Sequence, residues 1–377
     1  MPITWGPKHH FFGYYGIYPW NASGTHLLCL ESDFHDQPPA ASDVAVVGIV
    51  ELETGKFEPL AETRAWNLQQ GCMLHWLPTD PDRKITYNDR QGDRFVAVVL
   101  DIQSGRKRVL PRPISGLSHD GRVALSLNYA RLKALRPVVG YAGLPDLYAD
   151  QPHPVDDGLY LMVVETGEAE VIVSYQEAFE FLGRPAVMDE HNMWFNHTVF
   201  NRDDSRLCFV SRWCKRVGRI EHTHMLSASV DGGDLRLLLE QGASHFDWRT
   251  PTELLVWAAT KEGGHYYLMD EPTGKYEIVG QDVLTRNGHC SFARDGTWVL
   301  TDTGPDAEDM RTLLLWNMAE GRQVLLGRFD SPEPFRGEIR CDLHPRWSRD
   351  ETQVCFDSIH EGARQVYVMD VSEVRGS

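Results

Sequence analysis

The chain has 377 residues, 42% hydrophobic and 24% charged, with a formal net charge of −17. This balance suits a folded domain and excludes a general nucleic-acid binder, which needs a basic footprint; it also opposes a polyanionic ligand unless local basic groups or a metal offset the field. No apolar run is long enough to span a bilayer, and MPITWGPKHHFFGYY lacks a basic-then-apolar leader, so no membrane association and a cytoplasmic location are expected.

The first feature along the chain is HHFFGYYGIYPW, where His9 and His10 precede an aromatic run carrying Gly13 and Gly16. A phrase then begins at Ile17 (IYPWNASGTHLLCLE) and returns at His75 (HWLPTDPDRKITYND), Ile114 (ISGLSHDGRVALSLN), His197 (HTVFNRDDSRLCFVS), His245 (HFDWRTPTELLVWAA), His289 (HCSFARDGTWVLTD) and His344 (HPRWSRDETQVCFDS). Each copy is a short strand, a polar turn and an apolar strand with period-two alternation. A third strand follows, often ending in an acidic residue and a Gly turn, as in FVAVVLDIQSGRK and LLLWNMAEGRQ, and then a short fourth. Four antiparallel strands repeating every ~50 residues predict an all-β, seven-bladed β-propeller over residues 1–377 as a single domain. Helix is expected only near Tyr175–Leu182 (YQEAFEFL). The last unit supplies three strands, so a segment within residues 2–12 should pair with or cover it and close the ring, with unit one starting at Tyr14 to Trp20. The seven cysteines form no CxxC pair and read as small core residues.

In a propeller the first strand of each blade lines the central channel, so the repeat phase places His75, His197, His245, His289 and His344 around one funnel mouth. Imidazoles converging there disfavour one another's protonation and suit manganese, zinc or another intermediate metal. His245, His289 and His344, on successive blades, are the expected metal ligands; His197 is freer to act on a substrate. The ends of the second strands reach the same face with Asn88, Asp89, Arg90, Asn128, Arg131, Arg212, Lys261, Asp302 and Asp357. Arg212 and Trp213, in VSRWCKR, suggest a carboxylate clamp beside a sugar-stacking ring; Lys215 and Arg216 read equally well as solvated loop. Arg336 and Arg340, in FRGEIRCD, also approach the funnel, and Tyr14 or Tyr15 is placed to reach its rim. His222 and His224 share one strand face, where packing is the default.

The WSRD and FDS phrases, the histidine ring, DLHPRWS and HHFFGYY together resemble the seven-bladed oligogalacturonate lyase family, its TolB-like relatives and propeller polysaccharide lyases that cut uronate-containing glycans. The resemblance covers most of the chain at the level of the repeat. It implies β-elimination on an acidic oligosaccharide, with a divalent metal, manganese before zinc, or a basic side chain neutralising the uronate carboxylate. Carried over, His245, His289 and His344 hold the metal, Arg212 takes the carboxylate, His197 is the base and His75 is a second acid or binding group. The family's metal site includes a glutamine before the final blade, whereas this chain reads R-C-D-L-H there. Either Asp342 takes a ligand role or the metal is absent and a His/Tyr pair with Arg does the work. The chain is expected to be a monomer or weak homodimer; the competing reading is a non-catalytic binding or scaffold propeller of the TolB-like type. No G-x-S-x-G elbow and no nucleotide-binding glycine loop is present.

Overall fold

The computed structural model describes residues 1–215 and 219–375; Arg216 lies outside them. Seven antiparallel sheets follow one another along the chain, six with four strands and the last with three. Blade 1 is built from His9–Phe11, His26–Ser32, Ala45–Glu51 and Phe57–Thr63. The first strands of blades 2 to 7 are His75–Trp76, Gly116–Leu117, Asn192–Phe200, Ala243–Trp248, Ser291–Phe292 and Arg346–Trp347. Neighbouring first strands of blades 3 to 6 touch one another, which puts them on the axis.

The predicted seven-bladed fold is therefore the observed one, and the ring closes as expected. Ile3 N–H donates to Val366 O at 2.9 Å and Val368 N–H to Met1 O at 2.9 Å, so the N-terminal residues pair with the third strand of blade 7 as its missing fourth. Blade 1 begins earlier than expected. Its first strand starts at His9, leaves the sheet after Phe11 and touches it again only at the Trp20–Leu27 bridge. The interruption releases Gly13 to Pro19 toward the axis.

The core lies between blades, because one sheet cannot bury both its faces alone. Ile3, Leu27, Cys29, Cys355 and Val366 join the closing strand to blades 1 and 7. All seven cysteines are buried and free, in keeping with their reading as core residues. The helix foreseen near 175 spans Tyr175–Phe181, capped by Ser174 and Glu177 in a reciprocal box. A second helix, Tyr129–Leu135, sits in an insertion of blade 3 that the repeat pattern did not foresee. Arg131 pins this insertion rather than facing the funnel: it is fully buried, with Asp146 at 3.0 Å and main-chain carbonyls of Gln151, Pro152 and Met193 as further acceptors. No helix among the described residues is long and apolar enough to cross a membrane.

Candidate active site

Four repeat histidines converge at one end of the channel. Ring centroids are 5.3 Å apart for His197 and His245, and 4.1 Å for both His245–His289 and His289–His344. Local backbone irregularity aims them. The pairing register slips between Asn196 and Val199 and between Ala243 and Phe246, bulging the strands at His197 and His245. His197 and His344 adopt φ of +52° and +43°, a left-handed backbone that side chains other than glycine enter uncommonly and that tends to gather at functional sites.

The segment released from blade 1 carries two tyrosines into this cluster. Tyr14 Oη lies 2.5 Å from His197 Nδ1, and the Tyr15 ring is 5.6 Å from His245 and 5.3 Å from His289. A buried carboxylate holds the segment: Asp357 accepts from Gly13 N–H at 2.9 Å and from Phe12 N–H at 3.2 Å, and pairs with Arg346 at 2.7 Å. Gly13, at φ +102°, is pressed against the next loop, where a Cβ would stand 2.4 Å from Gly71 N. Only glycine fits both the backbone and the space.

Burial depresses the pKa of His197, His245 and His344 well below the usual histidine value, reinforced at His197 by Arg212 and at His245 and His344 by His289. Burial also raises Tyr14 and Tyr15. All five groups are therefore neutral near pH 7, and the imidazoles keep a lone pair each. Two of the histidines have their orientation set by carboxylate or amide partners. His289 Nδ1 is 2.8 Å from Asp302, and His245 Nδ1 is 2.9 Å from Asn287 Oδ1. In each case Nε2 is left to the site.

Arg212 stands beside this group, 6% exposed. Its Nε is buried without a hydrogen-bond partner, and the charges acting on it come from Arg136 and the two tyrosines, none from a carboxylate among the described residues. Burial and Arg136 bring its pKa down to about 10, still high enough to keep it cationic. Arg136, from the blade 3 insertion, is itself lowered by burial and by Arg340. Two guanidiniums, Arg212 and Arg136, thus act on one another at this end of the channel, with Glu338 the carboxylate that acts on Arg136.

His289, Asp342 and His344 offer ligand atoms that all lie within 4.8 Å of one another. Two neutral imidazoles and a carboxylate suit a divalent first-row metal, and the Asp302 contact on His289 is the kind of outer support such ligands carry. Asp342 is also engaged by Arg311 at 2.8 Å and Arg340 at 2.7 Å. Burial would raise its pKa, but the two arginines hold it well below the usual carboxylate value. His245 adjoins this trio without belonging to it.

The remaining sequence candidates divide. Tyr14, Tyr15 and Arg340 belong to the site or its border. His75 does not join the four histidines. It lines a cavity of about 740 Å³ formed by the channel beyond Tyr14 and Tyr15, and burial lowers its pKa to about 4. Trp213 is fully buried against Phe179 and bonded through Nε1 to His224 at 3.2 Å. Adjacent strand residues point to opposite faces, so Arg212 and Trp213 could not both reach the axis. Arg336 is tied to Asp309, Glu333 and the carbonyl of Ser331, away from the histidines. Asn88 bonds the main chain of Ile114 and the Tyr141 hydroxyl. Gln70, which acts on the Tyr14 hydroxyl, and Arg136 went unnoticed in the sequence. Both sit in connections outside the repeat frame, and only an unusual insertion length hinted at them.

No family model and no curated protein matches the sequence. Solved structures do. The chain is similar to an oligogalacturonate lyase from Vibrio parahaemolyticus, at 17% identity and TM-score 0.69, over 99% of this chain and 93% of that one. It is similar to an oligogalacturonate lyase in complex with manganese, at 19% identity and TM-score 0.70, over 100% and 94%. The β-propeller domain of the Trilobed protease from Pyrococcus furiosus follows at 10% identity and TM-score 0.54, over 96% of each chain. The architecture expected from the repeat is thus shared along the whole chain with lyase propellers and with a propeller of different employment.

Proposed function

We propose that this chain is a lyase that cleaves a uronic-acid-containing oligosaccharide by β-elimination. The observation that carries the reading is Arg212, a buried guanidinium with no carboxylate of its own, standing beside a tightly hydrogen-bonded Tyr14–His197 pair. A buried cation lacking a partner is costly, and a carboxylate from outside relieves that cost.

A uronate carboxylate docked on Arg212, with Arg136 behind it, has its charge neutralised, which acidifies the proton at C5. His197 is neutral and can take that proton on Nε2 when its Nδ1–H donates to Tyr14 Oη. The same hydrogen bond pins the Tyr14 oxygen, leaving its O–H to protonate the glycosidic O4 as it departs with the neighbouring sugar. The C4–O4 bond breaks as the C4–C5 double bond forms, giving an unsaturated uronate at one new non-reducing end and a departing fragment that keeps the oxygen as the hydroxyl of its new reducing end. His289, His344 and Asp342 would hold a divalent cation such as manganese, which when bound supplies a further Lewis acid for the carboxylate. Arg340, paired with Asp342 at 2.7 Å, stands at the same border.

One observation favours a second reading, a binding propeller without chemistry. Tyr14 and Tyr15 interrupt the channel, and three of the four clustered histidines are bonded to neighbouring side chains. The two readings separate in one assay. Ultraviolet absorbance of the unsaturated product is followed on a panel of uronate oligosaccharides, with and without manganese. Absorbance should rise on at least one substrate and should be lost in His197→Ala. A flat trace across the panel would favour the binding propeller.

A further inference from the structure

The same four blades that supply the histidines repeat a second residue. HTVFNR, HFDWR, HCSFAR and HPRWSR end in Arg202, Arg249, Arg294 and Arg349, each in the turn between first and second strands. Histidines occupy one end of the first strand and arginines the other, so the channel is imidazole-lined at one mouth and guanidinium-lined at the opposite one. All four arginines line the cavity of about 740 Å³ that ends at Tyr14 and Tyr15. Arg202 is paired with Asp247 at 3.1 Å, Arg249 with Glu253 at 3.8 Å and the neighbouring Arg346 with Asp357 at 2.7 Å, whereas Arg294 and Arg349 are held by main-chain carbonyls.

Part of this pattern is structural. Each arginine reaches a main-chain carbonyl in the next blade: Arg202 to Trp248 at 2.6 Å, Arg249 to Gly296 at 3.1 Å, Arg294 to Arg349 at 3.2 Å and Arg349 to Trp20 at 2.9 Å. Such a clasp needs one of the five N–H donors on a guanidinium. It does not require that four guanidiniums line one chamber, nor the buried Nε2 of His75, which lacks a hydrogen-bond partner and belongs to a lining residue.

We propose that this chamber is a second ligand site, entered from the face opposite the histidines, for a small molecule bearing an oxyanion. Its volume falls in the usual range for small-molecule pockets. The clasps hold the guanidinium planes in place before the ligand arrives, and His75 can donate to or accept from the ligand's polar end. Carboxylate and phosphate share the required chemistry. The inference stands independently of the lyase reading, since it uses none of the four clustered histidines and not Arg212.

Isothermal titration calorimetry of the full chain carrying Arg212→Ala, so that the other mouth does not register, would use sodium glucuronate, inorganic phosphate and, as a neutral control, glucose. One saturable site for glucuronate or phosphate but not glucose is expected, and the preferred anion identifies the source. Arg349→Gln, which keeps an N–H₂ for the Trp20 carbonyl, should weaken that binding by about tenfold or more. Leu117→Trp should abolish it by filling the chamber; if this variant does not fold, Arg249→Gln takes its place with the same expectation as Arg349→Gln. Absence of binding by both anions, equal binding of glucose, or affinity unchanged in the arginine variants would overturn the proposal and leave the arginines as clasps alone.

Discussion

Blades 4 to 7 and blades 1 to 3 are built from the same sheet, yet they contribute different things. Blades 4 to 7 each place a histidine at one end of the first strand and an arginine at the other. In blades 1 to 3 the histidine slot holds Ile17, His75 and Ile114, and the chemistry comes from elsewhere: Tyr14 and Tyr15 from an interrupted strand, Gln70 from a loop and Arg136 from an insertion. A repeated frame distributes one residue type evenly, whereas an irregular connection delivers a single group to a single place. The site needs both: the tyrosine segment of blade 1, anchored on Asp357 of blade 7, meets His197 of blade 4 across the channel.

That dependence can be broken at its anchor. Asp357→Ala removes the acceptor of Phe12 and Gly13 N–H and leaves Arg346 buried and unpaired, although Asp357 lies in blade 7 and the tyrosines in blade 1. A loss of about 3–5 kcal/mol in stability is expected, with activity lost alongside it; chemical denaturation measures the first. If stability is unchanged, the segment is held by something else.

A smaller effect sharpens the contrast between His75 and the four clustered histidines. Burial lowers the His75 pKa from 6.5 to about 4, so the unfolded chain binds the extra proton first as pH falls. This contribution to stability is intact above pH 6.5 and is lost between there and about pH 4. It amounts to something on the order of 2 kcal/mol once the partly solvent-facing ring is allowed for. His75→Met should flatten the pH dependence of stability in that window while leaving product formation largely intact, whereas His245→Ala should impair product formation. Equal loss of activity in both would place His75 back in the centre.

The smallest change tests the close approach of the two loops. Gly13→Ala meets Gly71 N at 2.4 Å and a φ of +102°, so a destabilisation of roughly 1–3 kcal/mol is expected, read as a lower thermal midpoint. Gly16→Ala, at φ +71° but with nothing near its Cβ, should cost less.

The sequence carries the fold and the convergence of four histidines openly, because both follow from phase: once seven units are aligned, equivalent positions face the same way. It also shows Arg212, as a strand-end residue. It does not show that Trp213 must turn away from its neighbour until the strand's facing is known, nor that Asp342 is shared by Arg311, from the third strand of blade 6, and Arg340, from the connection before blade 7. Arg136 was hidden for a related reason. It sits just past a short helix inside an insertion, where no repeat predicts direction. His75 fits the frame and still departs from the cluster, lining the chamber that Tyr14 and Tyr15 bound, and the tyrosine segment turns on Gly13, whose role depends on Gly71 lying opposite.

Elimination and hydrolysis at the Tyr14, His197 and Arg212 end of the channel leave products of different mass, so mass spectrometry of products from a uronate oligosaccharide separates them, comparing the unaltered chain with Arg212→Ala. If this end eliminates, the unaltered chain forms a fragment lighter by one water than hydrolysis would give, reduced by about a thousandfold in the variant. Products carrying the full mass of added water, or an unsaturated product made equally well without Arg212, would contradict elimination at this end.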